Sequence, residues 1–241
     1  MKNKRQPLTL VHLYPKDMNI YGDWGNVLTL QKRAQWHGYD VRIVPLNPGD
    51  VLPDTTDLII GGGGQDSGQS VIQYDLLERG PELIKLGHFG VPMLVICGLY
   101  QLFGHFFQTK DGERIEGIGL FDIETYGGDT RMIGNIVTAT EFGEIVGYEN
   151  HSGLTVLGEN QKPFGTVVKG AGNNGRDKTE GARLRNVYGS YLHGSLLPKN
   201  PVFADALLEA AALHRYGSFE PQIIDDHFAL SARAVAMNRP R

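Results

Sequence analysis

In the first hundred residues, short apolar runs alternate with segments patterned for helices, and that alternation leaves few folds open. Leu8–Leu13, Val41–Leu46, Asp57–Ile60 and Val91–Cys97 read as strands, each a run of mainly apolar residues bounded by turn signals. Between them, residues 24–37 and 70–86 carry apolar side chains at helical spacing. This succession predicts an α/β fold with a mostly parallel central sheet flanked by helices. Ligands of such sheets bind at the carboxyl ends of the strands. Two unusual features fall there: the four-glycine loop Gly61–Gly64 and Cys97.

Past about residue 112 the character changes to short β-prone stretches, among them Gly134–Ala139 and Gly165–Lys169, which read as a β-rich continuation of the same domain. Residues 173–181 are polar and predict an exposed loop, and Val187–His193 predicts a last strand that delivers His193. Residues 201–216 have helical spacing, with Pro201 suited to a first turn and Gly217 to a stop. The weakly apolar end of the chain reads as a docking helix or a frayed tail. The division that follows is a main domain over residues 8–205 and a C-terminal helical extension or tail over 206–241.

A formal charge of −4 gives no general attraction to nucleic acid or anionic lipid. The single cysteine excludes an internal disulfide framework and a multi-cysteine metal centre, which predicts a reducing, cytoplasmic setting and no metal. The N-terminal Met1–Pro7 is basic but is followed by no signal-peptide core, and no apolar stretch reaches the length of a membrane span.

Cys97 lies where an apolar strand turns into a helix-compatible segment, Leu99–Phe107. A thiol at such a turn is lifted above the sheet edge, and a helix N-terminus behind it favours thiolate and offers N–H groups to an oxyanion. A lone cysteine is also often no more than a small buried hydrophobe. As a nucleophile it needs a base, for which His193 is the candidate, and oxyanion donors, for which Gly63 or Gly64 with Gly98 are candidates. A phosphate loop at Gly61–Gly64 is the rival reading, but Gln65-Asp66 follows where a P-loop has Gly-Lys-Ser/Thr.

The elbow Cys97-Gly-Leu-Tyr-Gln101, the loop Gly62-Gly-Gly-Gln-Asp66, Gly147-Tyr-Glu-Asn-His-Ser-Gly153 and Tyr191-Leu-His-Gly194 together resemble the class I, cobyric-acid-synthase-like glutamine amidotransferases. Within that group Asn19-Ile-Tyr-Gly-Asp-Trp-Gly-Asn26 and Asp129-Thr-Arg-Met-Ile-Gly-Asn135 resemble the glutaminase subunits of lipid II isoglutaminyl synthases. The resemblance extends from about residue 8 to 205. It implies that Cys97 forms a γ-glutamyl thioester and releases ammonia, with His193 as general base and acid. It implies that Gln101 shapes the glutamine pocket and that Arg131 clamps the α-carboxylate, although a surface strand arginine is an equal reading. His151 is read as ordering the pocket or its own loop. The chain departs from the family's frequent His-x-Glu, having Ser195 in place of the glutamate, and the next acid along is Asp205. Either a backbone or hydroxyl acceptor orients His193, or a partner protein donates a carboxylate, and the second is favoured.

The resemblance also implies a heterodimer with a Mur-ligase-like synthetase subunit, MurT, which carries the ATP and Mg that this chain lacks. The pair would amidate the α-carboxyl of D-glutamate in lipid II, at the inner membrane face through partner and substrate. The alternatives are a glutaminase for a cobyrinate-type acceptor, a non-catalytic regulatory module, or a cysteine hydrolase of other amides or peptides.

Overall fold

The computed structural model describes residues 6–193 and 195–240. The basic residues 1–5, Gly194 and the terminal Arg241 therefore lie outside the described residues. The central sheet contains β1 (Leu8–Leu13), β2 (Val41–Leu46), β3 (Leu58–Gly61), β4 (Met93–Ile96), β11 (Ala182–Leu184) and β12 (Val187–Ser190). Its order is β11-β12-β4-β3-β1-β2, parallel throughout except for the edge strand β11. Every residue of β1, β3, β4 and β12 is buried, as expected of parallel strands covered on both faces. The covering helices include α1 (Trp24–Trp36), α2 (Asp66–His88) and α4 (Pro201–Tyr216).

Strand order reverses at β1. The chain lays β2 on one side of it and then returns to add β3 and β4 on the other. The segments after β1, β3, β4 and β12 consequently meet at one edge of the sheet, and these carry Asp23, the glycine loop, Cys97 and His193.

A second sheet, ordered β10-β9-β7-β5-β6 with β8 paired to β7, forms from β5 (Phe106–Gln108), β6 (Arg114–Glu116), β7 (Ile123–Thr140), β8 (Gly143–Leu157), β9 (Gly165–Lys169) and β10 (Thr179–Glu180). The β-rich half is thus a separate sheet built around one long hairpin. Its register shifts between Gly127 and Met132, so residues 128–131 leave the ladder and arch over the edge where the loops meet.

The expected helices hold with two changes of length. Helix α2 begins at Asp66, before the expected Ser70. Helix α3 covers only Gly98–Leu102, because at Gly104 the chain presses on β7, where a Cβ would lie 2.7 Å from the Ile123 carbonyl oxygen. Gly217 ends α4 at φ 72°, its N–H donating to Leu213 O. The division at residue 205 is corrected, since it would cut through α4. The last segment is a helix, α5 (His227–Asn238), tied down by Asp226 on Arg33 (2.5 Å) and by Arg233 donating to Asn200 Oδ1 (2.8 Å). Among the described residues no helix is long and apolar enough to cross a membrane.

Glu180 is fully buried under β12. Its Oε1 accepts from Tyr191 N (2.8 Å) and Ser190 Oγ (3.1 Å), while Oε2 has no partner among the described residues. Burial pushes its pKa up to about 8, against those two hydrogen bonds. Between the ordinary glutamate range and about pH 8 the folded chain then holds one more proton than the unfolded one. Stability falls as pH rises through that window. Urea unfolding at pH 5, 6.5 and 8 is expected to show Glu180→Gln gaining on wild type with each step; equal pH slopes would contradict a neutral Glu180.

Candidate active site

Cys97 occupies a backbone conformation rare for a residue with a side chain, φ 49° and ψ −106°. Two hydrogen bonds hold the turn: its N–H donates to Ser190 O in β12 (2.8 Å), and its carbonyl accepts from Gln101 N (2.9 Å). The thiol is thereby fixed at the mouth of β4, with the first N–H groups of α3 beside it.

His193 is fully buried after β12 and anchored by two backbone bonds with Tyr148 (2.8 and 3.2 Å). Its Nδ1–H donates to Asp23 Oδ2 at 3.3 Å. The same oxygen accepts Gly63 N–H at 2.7 Å. The carboxylate beside the imidazole therefore comes from this chain, from the loop between β1 and α1. This corrects the expectation that, within this chain, only a backbone or hydroxyl group could accept from His193. Asp205 is engaged elsewhere, in a two-point pair with Arg33 (2.6 and 2.7 Å) and a contact with His37. Ser195 turns away from the imidazole, and its Oγ donates to Gly22 O. The loop over residues 19–26 is thus bonded to the segment following His193, and Gly25 is needed because a Cβ there would meet Ser195 Oγ at 2.2 Å.

Burial alone would push His193 down. The neighbouring Cys97 and the bond to Asp23 outweigh it and bring the pKa up to about 10. Its Nε2 is buried without a hydrogen-bond partner among the described residues. The arrangement favours a protonated imidazole beside Cys97, with one ring nitrogen held by a carboxylate.

The glycine loop serves the site differently from the expectation. Gly63 N–H is committed to Asp23 and cannot serve an oxyanion. Gly63 is instead the space the imidazole fills, since a Cβ there would stand 2.4 Å from His193 Cε1 and 3.2 Å from Cys97 Cβ. Gly64 lines the cavity in front of Cys97. A Cβ on Gly98 would lie 3.2 Å from Gly64 N, so these two backbones approach closely beside Cys97.

Cys97 opens on a cavity of about 360 Å³ lined by Gln69, Gln101, Asp66, Arg131, Asn150 and His151, with Ile20 and Phe107 as apolar wall. Gln101 is buried between partners: its Oε1 accepts from Gln69 (2.9 Å) and its Nε2 donates to Tyr191 Oη (3.1 Å). Arg131 stands on the bulged stretch of β7, with Nε donating to Asn150 Oδ1 (2.6 Å) and a second nitrogen to Tyr21 Oη (3.3 Å). The Tyr21 ring meets His193 edge-on at 5.1 Å. His151 stacks flat on Tyr191 at 3.5 Å, and its Nδ1–H donates to Gly153 O. Burial, with the His193 and Arg131 charges nearby, holds its pKa down at about 3. His151 is therefore a neutral wall residue.

Sequence reasoning did not assign Asp23, Gln69, Tyr21 or Asn150. Asp23 and Tyr21 sat in a motif recognised without a role, and Asp23 meets its histidine across 170 positions of chain.

A solved structure described as a glutamine amidotransferase matches with a TM-score of 0.58, covering 84% of this chain and 98% of that one at 15% identity. The fold is that of the class I glutamine amidotransferases. Residues 9–201 match the CobB/CobQ-like glutamine amidotransferase domain, and the chain belongs to that family. It is 38% identical over 237 residues to the GatD subunit of the glutamine-hydrolysing lipid II isoglutaminyl synthase of Staphylococcus aureus, with 96% of each chain covered. To the GatD subunit of Streptococcus pneumoniae it is 38% identical over 214 residues, 87% of this chain and 82% of the relative.

Because the imidazole fills the space beside Gly63, Gly63→Ala is expected to displace the ring while leaving the sheet intact. Glutaminase turnover should fall at least about 100-fold, the effect of roughly an ångström of misplacement, with the circular dichroism spectrum unchanged. Near-normal turnover would refute the packing described.

Proposed function

We propose that this chain is the glutaminase subunit of a lipid II isoglutaminyl synthase. It hydrolyses L-glutamine to glutamate and ammonia, and an ATP-dependent Mur-ligase-like partner, MurT, uses the ammonia to amidate the α-carboxyl of D-glutamate in lipid II. Similarity to two GatD subunits over nearly the whole chain supports the acceptor and the partner. The observation that carries the chemistry is the buried line Cys97, His193, Asp23 opening on a cavity that offers one guanidinium and one carboxylate.

That cavity suits a zwitterionic amino acid with an amide side chain. Arg131 pairs with the α-carboxylate, for which a planar guanidinium is well matched, and Asp66 faces the α-ammonium. The side-chain amide is presented to Cys97. The thiolate attacks the amide carbon, and the developing oxyanion takes N–H groups of Gly64 and Gly98. Collapse of the tetrahedral species breaks the C–N bond as His193 gives its proton to the leaving ammonia. A water then attacks the thioester while His193 takes one of its protons, and glutamate leaves with the thiolate restored. Asp23 holds the imidazole in one tautomer and supports its charge in both halves.

Because the acid is in cis, the isolated chain is expected to release glutamate from glutamine, and Cys97→Ala to reduce that to background. Arg131→Ala should raise KM about tenfold or more with kcat little changed, as for loss of a binding clamp. With the partner, ATP and lipid II, the Cys97→Ala complex should amidate only when ammonium salt replaces glutamine. Glutamine-driven amidation that survives Cys97→Ala would overturn the proposal.

A further inference from the structure

A second polar cluster lies behind Asp23, away from the cavity. His12, near the carboxyl end of β1, is 1% exposed, and neither ring nitrogen has a hydrogen-bond partner among the described residues. The same holds for Asp23 Oδ1 and Asn26 Nδ2, both buried. Each such atom costs on the order of a lost hydrogen bond when left alone.

The three residues occupy one face. Asp23 immediately precedes α1, and Asn26, one turn on, donates its backbone N–H to the Asp23 carbonyl (2.9 Å). Trp24, between them, packs over the His12 ring at 5.0 Å. His12 is in register with Ile60. Two residues beyond Ile60, a Cβ on Gly62 would touch Asp23 Cβ at 2.9 Å and Oδ2 at 3.1 Å. Trp24, which follows Asp23 and opens α1, covers the His12 ring, so His12 and Asp23 lie on the α1 side of the neighbouring ends of β1 and β3. Burial holds His12 neutral, with a pKa near 4 despite the Asp23 charge. It therefore keeps one N–H to donate.

The unpartnered groups are complementary. His12 N–H and Asn26 Nδ2–H are donors, and Asp23 Oδ1 is an acceptor. Asn26 Oδ1 is already used by Leu197 N (2.9 Å), which fixes the orientation of the amide. A single buried water can accept from both donors and give a hydrogen to the carboxylate, the three-bond pattern usual for internal waters.

We propose that His12 is a positioning residue for glutamine hydrolysis. Through a water shared with Asn26 it holds the outer oxygen of Asp23, so that the inner oxygen stays directed at His193. The inference rests on the reading of Cys97, His193 and Asp23 as the hydrolytic centre. It adds that the orienting carboxylate is itself oriented, by a residue that touches neither substrate nor thiol.

The test is a double-mutant cycle on the full chain, with glutamine hydrolysis read as kcat and KM. His12→Phe retains a ring against Trp24 and removes both nitrogens; it should lower kcat about tenfold, the effect of one lost hydrogen bond in a charged network, with KM within about twofold. His12→Asn, which retains a donor, should recover most of that loss. In an Asp23→Asn background the His12→Phe effect should largely vanish, because the two act through one group. Full additivity, or a His12→Phe enzyme with wild-type kcat, would overturn the proposal while leaving the hydrolytic centre standing. An Asp23→Asn enzyme with wild-type kcat would overturn both. Should His12→Phe fail to fold, a high-resolution crystal structure of the wild-type chain decides: a water within hydrogen-bond reach of His12, Asp23 Oδ1 and Asn26 Nδ2 is expected, and its absence from well-defined density rejects the bridge.

Discussion

One carboxylate oxygen holds the site together. Asp23 Oδ2 accepts Gly63 N–H and His193 Nδ1–H at once, so three loops from three strand ends converge on one buried charge. Hydrogen bonds to a buried carboxylate contribute about 1.5–3 kcal/mol each, and a buried charge left unpaired costs several. None of the loops can therefore shift alone. The bond also explains why glycine is needed at position 63, where backbone N–H and imidazole must both lie against the same acid with no Cβ between them.

The parallel sheet supplies the convergence and the second sheet supplies the enclosure. Loops after β1, β3, β4 and β12 bring acid, glycine backbone, thiol and base together because strand order reverses beside them. The hairpin of β7 and β8 then leaves its ladder for a few residues and sets Arg131 and Asn150 over the opening. Between the two sheets runs a buried polar chain from Gln69 through Gln101 and Tyr191 to Thr155 and Thr125. It fixes the part of the cavity wall that Gln69 and Gln101 form. Buried polar groups in such a chain specify a single arrangement, because any slip leaves one of them unpaired.

Strands β1, β3, β4 and β12 were legible because burial on both faces writes them as mainly apolar runs, whereas the short edge strand β11 carried no such signal. Cys97, Gly98 and His193 could be placed for the same reason, each lying just past such a run. Local pattern failed where tertiary contact decides. The helix after Cys97 stops at Leu102 because β7 crosses the chain at Gly104. The long hairpin was visible only in pieces, since Gly127, Gly128 and Gly134 interrupt its alternation. Asp23 was hidden most deeply. Nothing about an acid in a loop near the N-terminus tells which of eight histidines it will meet, and the neighbouring Ser195 suggested that no acid of this chain would serve.

Moving the acid from the turn that carries the histidine to the loop after β1 changes what the acid depends on. A glutamate two residues past the histidine would travel with it. Asp23 is instead positioned by the start of α1, where Asn19 Oδ1 accepts Trp24 N–H (2.8 Å) and Asn26 ties the helix to Leu197. Ser195, standing at the vacated position, fastens the two segments through Gly22 O. Orientation of the base thus becomes a property of how α1 seats on the sheet. The same loop carries Tyr21, half-exposed, with its ring edge on His193 and its hydroxyl on Arg131. A displacement of this one loop would loosen Asp23 from His193, uncover the imidazole and release Arg131 together, so residues 19–24 couple the surface to the arrangement around Cys97.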